Sequence, residues 1–404
     1  VRWLGGASLG AALLLGGCAE SSDPWLEPSG AGLPFDANRY DNFADYISQT
    51  RQRLEADKSY LDPADAMREL EAATPFEIRP AEGCADNAPE KGVLLIHGLS
   101  DMPFAMRDLA DAFAARCFLV RSLLLPGHGT RPGDLLQVTR EDWVEAARFG
   151  VTTLENEVDA VYVGGFSLGG LIATHLALDD PDIAGVFAFS PAWVLQSGWS
   201  LSLTPWLRHV IDWVDTDAPD DYARYEAMPL NGLAETYLMT RDLAAKLEAQ
   251  PLETPVFLAQ SADDAIVDAV GNAAYFALRL TSSRSRALTY TRDPASAPSD
   301  PRSRYIDSAL PEARIIGFSH QAVHASPDNP HYGQNGLYRN CGINAGRSAE
   351  MATRCFEADW PWRAEIVGDI PPEVPDGAVP ARLTFNPLFD AMMAAIDSFL
   401  ANGA

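Results

Sequence analysis

The feature that most constrains the fold is a serine set between a short β-branched strand and a helix. Residues 161–163 read Val-Tyr-Val, residues 165–169 read Gly-Phe-Ser-Leu-Gly, and a helical pattern begins directly behind them. In such a turn the backbone is strained and the Ser167 hydroxyl is exposed above the sheet. N–H groups at the start of the helix face the place where negative charge would develop. The sequence therefore predicts that Ser167 is a nucleophile rather than a plain capping serine.

Apolar runs and helical patterns alternate on both sides of this turn. Strands are predicted over residues 93–96, 118–125, 161–163, 183–189 and 255–259, and helices over 103–115, 141–157, 168–178 and 268–280. Strands that are apolar throughout are typical of a parallel sheet that is covered on both faces. This alternation predicts an α/β fold with a doubly wound, mostly parallel sheet.

The remaining segments are arranged around this core. We predict an N-terminal helical extension over 41–90, a first core part over 91–192, a helical cap over 193–250 and a second core part over 251–404. The cap carries four tryptophans, and Trp206, Val210 and Trp213 fall on one helical face. Within the second core part, a last strand is predicted over 314–318, and residues 325–380 are predicted to be an irregular insertion.

The chain is strongly acidic. Its 404 residues carry a formal net charge of −26, and 47% of them are hydrophobic. The hydrophobic content is sufficient for a large core. An acidic surface repels the phosphate backbone of nucleic acids, so nucleic acid is not an expected partner.

The N-terminus is predicted to be a targeting segment. Residues 1–17 are apolar after Arg2, too short for a comfortable membrane-spanning helix, and they end in Leu-Gly-Gly before Cys18. This junction resembles the bacterial lipobox. The resemblance implies a lipoprotein signal peptide over 1–17, lipid on Cys18, and, since Ala19 follows, an outer-membrane location facing the periplasm. Residues 18–40, rich in Ser, Pro, Gly and Asp, are predicted to be a flexible lipidated tether.

Four further cysteines remain, an even number that suits an oxidising compartment. Four cysteines allow three pairings, of which we favour Cys84–Cys117 and Cys341–Cys355. No Cys/His cluster has the spacing of a metal site, so neither a metal nor a cofactor is expected.

A serine nucleophile needs a base, and the base needs an orienting acid. Asp264 follows the predicted strand over 255–259, and His320 follows the one over 314–318. The order Ser167, Asp264, His320 is that of α/β-hydrolases. Three residues compete for the two partner roles: Asp263 and Asp268 for the acid, and His324 for the base.

The chain resembles α/β-hydrolases of the carboxylesterase and monoacylglycerol-lipase type. The resemblance rests on Leu-Ile-His-Gly-Leu at 95–99, Leu-Pro-Gly-His-Gly at 125–129, Asp-Trp at 142–143, Gly-Phe-Ser-Leu-Gly-Gly at 165–170 and Asp-Ala-Ile-Val at 264–267. It implies the α/β-hydrolase fold, with main-chain N–H groups of Leu99 and Leu168 forming an oxyanion hole. Asp264 matches the family's acid better than Asp263 does.

The expected activity is therefore that of a serine hydrolase that cleaves small acyl esters through an acyl-enzyme. An acyltransferase or thioesterase with the same triad is an alternative. A second alternative is a catalytically silent binding protein of the envelope, although such a protein would not need the intact Ser, Asp and His.

Overall fold

A computed structural model describes residues 23–81, 83–84, 90–196, 198–296, 298–341, 349–358, 361–365 and 372–401. Its strands are β1 (Phe76–Ile78), β2 (Lys91–Ile96), β3 (Phe118–Ser122), β4 (Ala160–Phe166), β5 (Gly185–Phe189), β6 (Trp213–Asp215), β7 (Met228–Pro229), β8 (Val256–Ser261), β9 (Arg286–Thr291), β10 (Ser303–Asp307), β11 (Trp362–Ala364) and β12 (Pro380–Arg382).

The α-helices pack around these strands. They are α1 (Phe43–Asp57), α2 (Ala66–Ala73), α3 (Arg107–Ala114), α4 (Arg140–Glu155), α5 (Leu168–Asp179), α6 (Gly198–Leu201), α7 (Thr204–Leu207), α8 (Leu230–Ala249), α9 (Ala269–Arg279), α10 (Ala349–Glu357) and α11 (Phe389–Ala401). Among the residues described, no helix combines the length and the apolar character that a membrane crossing requires.

Eight of the described strands form one sheet in the order β1-β3-β2-β4-β5-β8-β9-β10. β1 pairs antiparallel with β3, and the other neighbours pair in parallel. The predicted α/β fold with a doubly wound, mostly parallel sheet is confirmed. Because the parallel strands end at the same edge, the residues that follow β2, β4 and β8 are neighbours there.

The core lies on both faces of this sheet. Leu94 and Ile96 of β2 belong to one apolar cluster, whereas Val93 and Leu95 belong to another. All four side chains are fully buried. Alternate residues of a strand point to opposite faces, so the continuous apolar run of β2 is explained by helices covering both sides.

The prediction of a strand over 314–318 is wrong, because this segment does not belong to the sheet. The last strand of the sheet is β10 at Ser303–Asp307, and Ile315 makes isolated bridges, one of them to Arg363. Arg314 interrupts an extended run because its φ of 54° lies in the left-handed region. The segment is apolar because it packs on the core, and an apolar run alone does not separate a buried loop from a buried strand.

The tether predicted over 18–40 is wrong for its described part. The Ser29 N–H donates to Asp134 Oδ1 at 2.6 Å, and the Phe35 N–H donates to Asp142 Oδ1 at 2.9 Å. The Phe35 ring also packs against the rings of Tyr46 and Phe149, which lie outside this segment. Composition predicted the lack of regular structure here, but a segment without periodicity still packs when its few apolar and capping groups find partners.

The cysteines divide as expected within the described residues. The structure contains both favoured disulfides, Cys84–Cys117 and Cys341–Cys355. The predicted signal peptide over 1–17 and the predicted lipidation site Cys18 lie outside the described residues.

The segment predicted as a helical cap, 193–250, contains a two-stranded sheet of β6 and β7 besides α6, α7 and α8. The single helical face predicted for Trp206, Val210 and Trp213 is wrong, because α7 ends before Val210 and Trp213 lies in β6. Aromatic and β-branched residues favour strands, and three positions are too few to establish a helical period. Trp193 is buried, whereas Trp206 is 78% exposed.

The insertion predicted as irregular over 325–380 is irregular over most of its described residues, but it also contains regular structure. α10 lies within it, and β11 and β12 pair in parallel, with Ala364 opposite Arg382. Strands of three residues are too short to display alternation in a sequence.

Candidate active site

Ser167 lies at a tight turn between β4 and α5. Its φ is 53° and its ψ is −112°, a conformation that a non-glycine residue adopts only under constraint. Gly165 and Gly169 make this turn possible: a Cβ on Gly165 would lie 2.5 Å from the Ile96 oxygen, and one on Gly169 would lie 1.9 Å from it. The two glycines therefore let α5 begin directly against the end of β2.

The structure brings together three residues that are far apart in the chain. His320 Nε2 lies 3.0 Å from Ser167 Oγ, and His320 Nδ1 lies 2.6 Å from Asp264 Oδ2. All three side chains are buried. With its proton on Nδ1, the imidazole donates to the carboxylate and accepts from the hydroxyl. A proton can therefore pass from the serine to the imidazole, and the carboxylate stabilises the resulting cation.

The other oxygen of Asp264 is held by its own loop. Oδ1 accepts the Ile266 N–H at 2.8 Å and the Val267 N–H at 2.9 Å. The two rival acids are engaged elsewhere. Asp263 forms an ion pair with Arg292 at 3.0 Å, and Asp268 caps α9 by accepting the N–H groups of residues 270 and 271. Of the three candidate acids, Asp264 is the one that reaches the imidazole.

His324, the rival base, has a different environment. Its ring stacks on Phe166 with centroids 4.0 Å apart, and its Nδ1 has no hydrogen-bond partner among the described residues. Burial, together with the neighbouring His320, lowers the pKa of His324 to about 3. A neutral imidazole at this depth fills apolar space rather than reaching the Ser167 hydroxyl.

The two predicted oxyanion donors, Leu99 and Leu168, lie on different elements that meet at the serine turn. Leu168 is the first residue of α5, so its N–H has no acceptor within the helix. Leu99 follows β2, whose last residue, Ile96, contacts the turn at Gly169. The two residues therefore belong to elements that meet at the turn. Their role as oxyanion donors stays a prediction.

Two histidines support the loop that carries Leu99. His97 Nε2 accepts the Leu125 N–H at 3.0 Å, and His128 Nε2 accepts the Ser100 N–H at 3.1 Å. Burial lowers the pKa of His97 well below its ordinary value and lowers that of His128 to about 4. Both rings are therefore neutral near pH 7 and can accept these bonds. These contacts hold the loops after β2 and β3 against each other.

The cap segment touches the same loop. Asp101 forms an isolated antiparallel bridge with Arg224, and the Tyr225 N–H donates to the Ser100 oxygen at 2.8 Å. Burial raises the pKa of Asp101 to about 6, although the nearby Arg224 opposes the rise. The cap is thus hydrogen-bonded to the loop beside the site.

Sequence reasoning missed two groups near the site. His331, for which no role was predicted, lies with its Nε2 2.7 Å from Asp221 Oδ1 of the cap segment. Glu365 accepts the main-chain N–H of His320 at 2.9 Å. No motif identified either group, since Glu365 lies 45 residues after His320 in a part of the sequence without periodicity.

Comparisons with known proteins agree with this architecture. The model of the family described as serine aminopeptidase, S33, matches residues 87–292. A thermostable monoacylglycerol lipase of Bacillus sp. (strain H-257) is 38% identical over 108 residues, which are 27% of this chain and 43% of that protein. The dihydrolipoyllysine-residue acetyltransferase component of the acetoin cleaving system of Cupriavidus necator is 33% identical over 144 residues, which are 33% of this chain and 36% of that protein.

The chain therefore spans less than half the length of these two curated relatives. Among solved structures, the monoacylglycerol lipase of Paleococcus ferrophilus is similar with a TM-score of 0.45 and 19% identity, over 54% of this chain and 88% of that one.

Proposed function

Because this chain belongs to the serine aminopeptidase S33 family of α/β-hydrolases, we propose that it is a serine hydrolase that cleaves carboxylic acyl esters. The observation that carries the proposal is the unbroken contact from Ser167 Oγ through the His320 imidazole to Asp264. The similarity of part of the chain to a monoacylglycerol lipase supports an ester rather than another acyl compound as substrate.

The proposed mechanism proceeds through an acyl-enzyme. Ser167 Oγ attacks the ester carbonyl while His320 Nε2 takes its proton, and Asp264 stabilises the imidazolium. The main-chain N–H groups of Leu99 and Leu168 bind the tetrahedral oxyanion, a contribution of about two to four kcal/mol for each donor in acyl-transfer enzymes. The imidazolium then protonates the departing alcohol. Water, deprotonated by the same imidazole, releases the acid and restores Ser167.

The first test uses a fluorophosphonate probe and a series of nitrophenyl esters of increasing chain length. We expect the purified protein to react with the probe and to hydrolyse the esters, and Ser167→Ala to do neither. His324→Ala serves as the matched histidine control and retains activity, whereas His320→Ala loses it. Probe labelling that survives in Ser167→Ala would refute the assignment, and an unreactive wild-type protein would favour the silent binding protein.

Acyl transfer to an acceptor other than water is the second candidate activity. It is favoured by the similarity of part of the chain to an acetyltransferase component. Product analysis with added alcohols, thiols and amines separates the two. Hydrolysis predicts free acid as the main product at every acceptor concentration, whereas a transferase yields mainly the acylated acceptor. Thioester and aminoacyl-arylamide substrates in the same assay test for thioesterase and aminopeptidase activity.

We also propose that the protein is anchored in the bacterial envelope by lipid on Cys18. The proposal rests on Leu15, Gly16 and Gly17 before this cysteine. Mass spectrometry of the N-terminal peptide from a bacterial host is expected to find a diacylglyceryl group on Cys18 and no residues before it. Cys18→Ser is expected to leave the protein unprocessed. An unmodified thiol at position 18 would remove the basis for a membrane partner.

A further inference from the structure

The loop that carries His320 is not a strand of the main sheet, which contacts it through side chains: Ser261 Oγ of β8 donates to the Phe318 oxygen at 2.7 Å, and the Tyr290 ring of β9 stacks on the Phe318 ring. β10 ends at Asp307, and the segment 314–318 is not a strand of that sheet. The base of the proposed mechanism must nevertheless be held within a fraction of an ångström, since a misplacement of about 1 Å can cost 100-fold in rate. Further contacts, made to the residues that flank His320, complete the support of this loop.

The two short strands of the insertion supply those contacts. The Ile316 N–H donates to the Arg363 oxygen at 2.9 Å, and Ser319 Oγ donates to the Leu383 oxygen. Asn340 Nδ2 donates to Gln321 Oε1 at 3.2 Å. Ile316, four residues before His320, is thus bonded to β11. The immediate neighbours Ser319 and Gln321 are bonded to the residue that follows β12 and to the segment beside it.

Glu365 makes the central contact of this support. Its side chain is 3% exposed, and its Oε2 accepts the His320 N–H at 2.9 Å and the Ala265 N–H at 3.4 Å. Ala265 directly follows Asp264. One carboxylate oxygen therefore joins the main chains of the two loops that bring the imidazole and its acid together.

Arg382 of β12 balances the buried charge. Its Nε donates to Glu365 Oε1 at 2.7 Å, and an Nη donates to Oε2 at 3.1 Å. A two-pronged guanidinium contact fixes the rotation of a carboxylate as well as its position. Because Arg382 lies opposite Ala364 in the paired strands, the pairing of β11 with β12 sets where the Glu365 oxygens point.

We propose that Glu365 is a positioning residue for the reaction, holding the His320 and Asp264 loops in the relative position that lets the imidazole bridge Asp264 and Ser167. The inference rests on the proposed function. It assigns part of the catalytic geometry to a segment that lies outside residues 87–292, the range matched by the family.

The test compares Glu365→Ala and Glu365→Gln with a matched control, Glu69→Ala. Glu69 is also buried and also accepts two main-chain N–H groups, those of Leu61 and Asp62, but it lies in α2 and contacts neither loop. Ester hydrolysis is measured as kcat and KM per active site, with the number of sites obtained by fluorophosphonate titration, and thermal midpoints are recorded for all variants.

For Glu365→Ala we expect kcat to fall by about 10- to 100-fold, with KM within about 3-fold of the wild-type value. The rate of reaction with the fluorophosphonate should fall in parallel, because it too needs His320 to accept the Ser167 proton. Glu365→Gln keeps one acceptor oxygen and should lose less, about 3- to 10-fold in kcat. Glu69→Ala should lower the thermal midpoint and leave kcat per site within about 2-fold.

A purely structural role predicts a different result. In that case Glu365→Ala and Glu365→Gln would lose stability as Glu69→Ala does, and the sites that remain would turn over at the wild-type rate, which would overturn the proposal. If Glu365→Ala does not fold, Glu365→Gln decides in the same way. Activity that survives in Ser167→Ala would overturn the proposed function and this inference together, whereas an inactive Ser167→Ala beside a wild-type kcat in both Glu365 variants would overturn this inference alone.

Discussion

At the scale of single residues, the site depends on how the two oxygens of Asp264 are used. Oδ1 accepts two main-chain N–H groups of its own loop, and Oδ2 is left for His320 Nδ1. The main-chain bonds fix the rotation of the carboxylate, and the carboxylate in turn fixes the tautomer and the direction of the imidazole.

Asp264→Asn tests this arrangement. The amide oxygen can keep the two main-chain bonds, which places the NH₂ group against His320 Nδ1 and forces the proton onto Nε2. The imidazole then cannot accept from Ser167, and we expect kcat to fall by about 10⁴-fold, as in serine proteases with the same change. The measurement is ester hydrolysis near pH 7.5. Asp263→Asn, one position away, should stay within about 3-fold of wild type, and equal losses in the two variants would contradict the assignment.

The turn at Ser167 leaves no room for a side chain at Gly169. A Cβ there would lie 1.9 Å from the Ile96 oxygen, a backbone atom that cannot rotate away. We therefore expect Gly169→Ala to lower the free energy of unfolding by about 3 kcal/mol or more, measured by urea denaturation.

Gly232→Ala is the matched control in a helix. Its Cβ would meet a side-chain atom of Leu99 at 3.3 Å, and its effect should stay within about 1 kcal/mol because alanine favours the helix. A tolerated Gly169→Ala would mean that β2 and α5 are not packed as described.

At the scale of elements, β12 packs against a disulfide that lies in the same insertion as β11. Cys341 and Cys355 are both buried, and they pack with Ala381 of β12. Asn340, next to Cys341, accepts the Arg382 N–H at 3.0 Å. The disulfide therefore closes a loop that begins directly after Asn340, the residue bonded to the strand that carries the partner of Glu365.

Opening this disulfide should affect catalysis as well as stability. Its cysteines are 14 residues apart, and loop closure of that size stabilises a fold by about 3 kcal/mol. For Cys341→Ser with Cys355→Ser we expect a loss of that order, together with a fall in kcat of about 3- to 10-fold, since a misplaced base slows the reaction.

The second disulfide supplies the control. Cys84 and Cys117 are 33 residues apart, so their replacement by serine should cost at least as much stability by the same loop-closure reasoning. It should leave kcat unchanged, because Cys117 precedes β3 and contacts neither catalytic loop. The readouts are urea denaturation and ester hydrolysis per titrated site. Equal falls in kcat for the two pairs would show that the insertion does not support the site.

At the scale of the whole molecule, stability at acidic pH depends on a set of buried histidines. Burial lowers the pKa of His97, His128 and His324, those of the last two to about 4 and about 3. Below about pH 6.5 each of these histidines is protonated in the unfolded chain, whereas in the folded protein it stays neutral until the pH approaches its lowered pKa. Because the unfolded state then binds more protons, stability falls as pH decreases from about 6.5 toward the folded pKa values.

His324→Leu tests this linkage. The variant removes one of the three groups, so between pH 6 and pH 4 its free energy of unfolding should fall less steeply than that of the wild type, by about 1.4 kcal/mol per pH unit. Urea denaturation at several pH values measures both slopes. Repulsion among the acidic side chains contributes equally to the two proteins and cancels in the difference. Parallel slopes would show that His324 takes up no proton on unfolding.

The sequence predicted the core of the sheet and the candidate site for a local reason. A strand, a Gly-x-Ser-x-Gly turn and a helix are encoded within ten residues, and Asp264 is placed by the strand just before it. The chain order of the three residues then indicates one edge of a parallel sheet. The last strand was misplaced because a buried apolar loop and a buried strand share one composition.

What the sequence by itself determined is the set of short-range features. These are the alternation that makes a doubly wound sheet, the glycines that let the serine turn form, and the residue types needed for nucleophile, base and acid. The tertiary structure alone decided how the segment 23–40 packs and that Glu365 contacts the His320 loop. The physical reason is that these contacts join segments from 45 to more than 100 residues apart, and no periodicity or motif in this chain indicates either pairing.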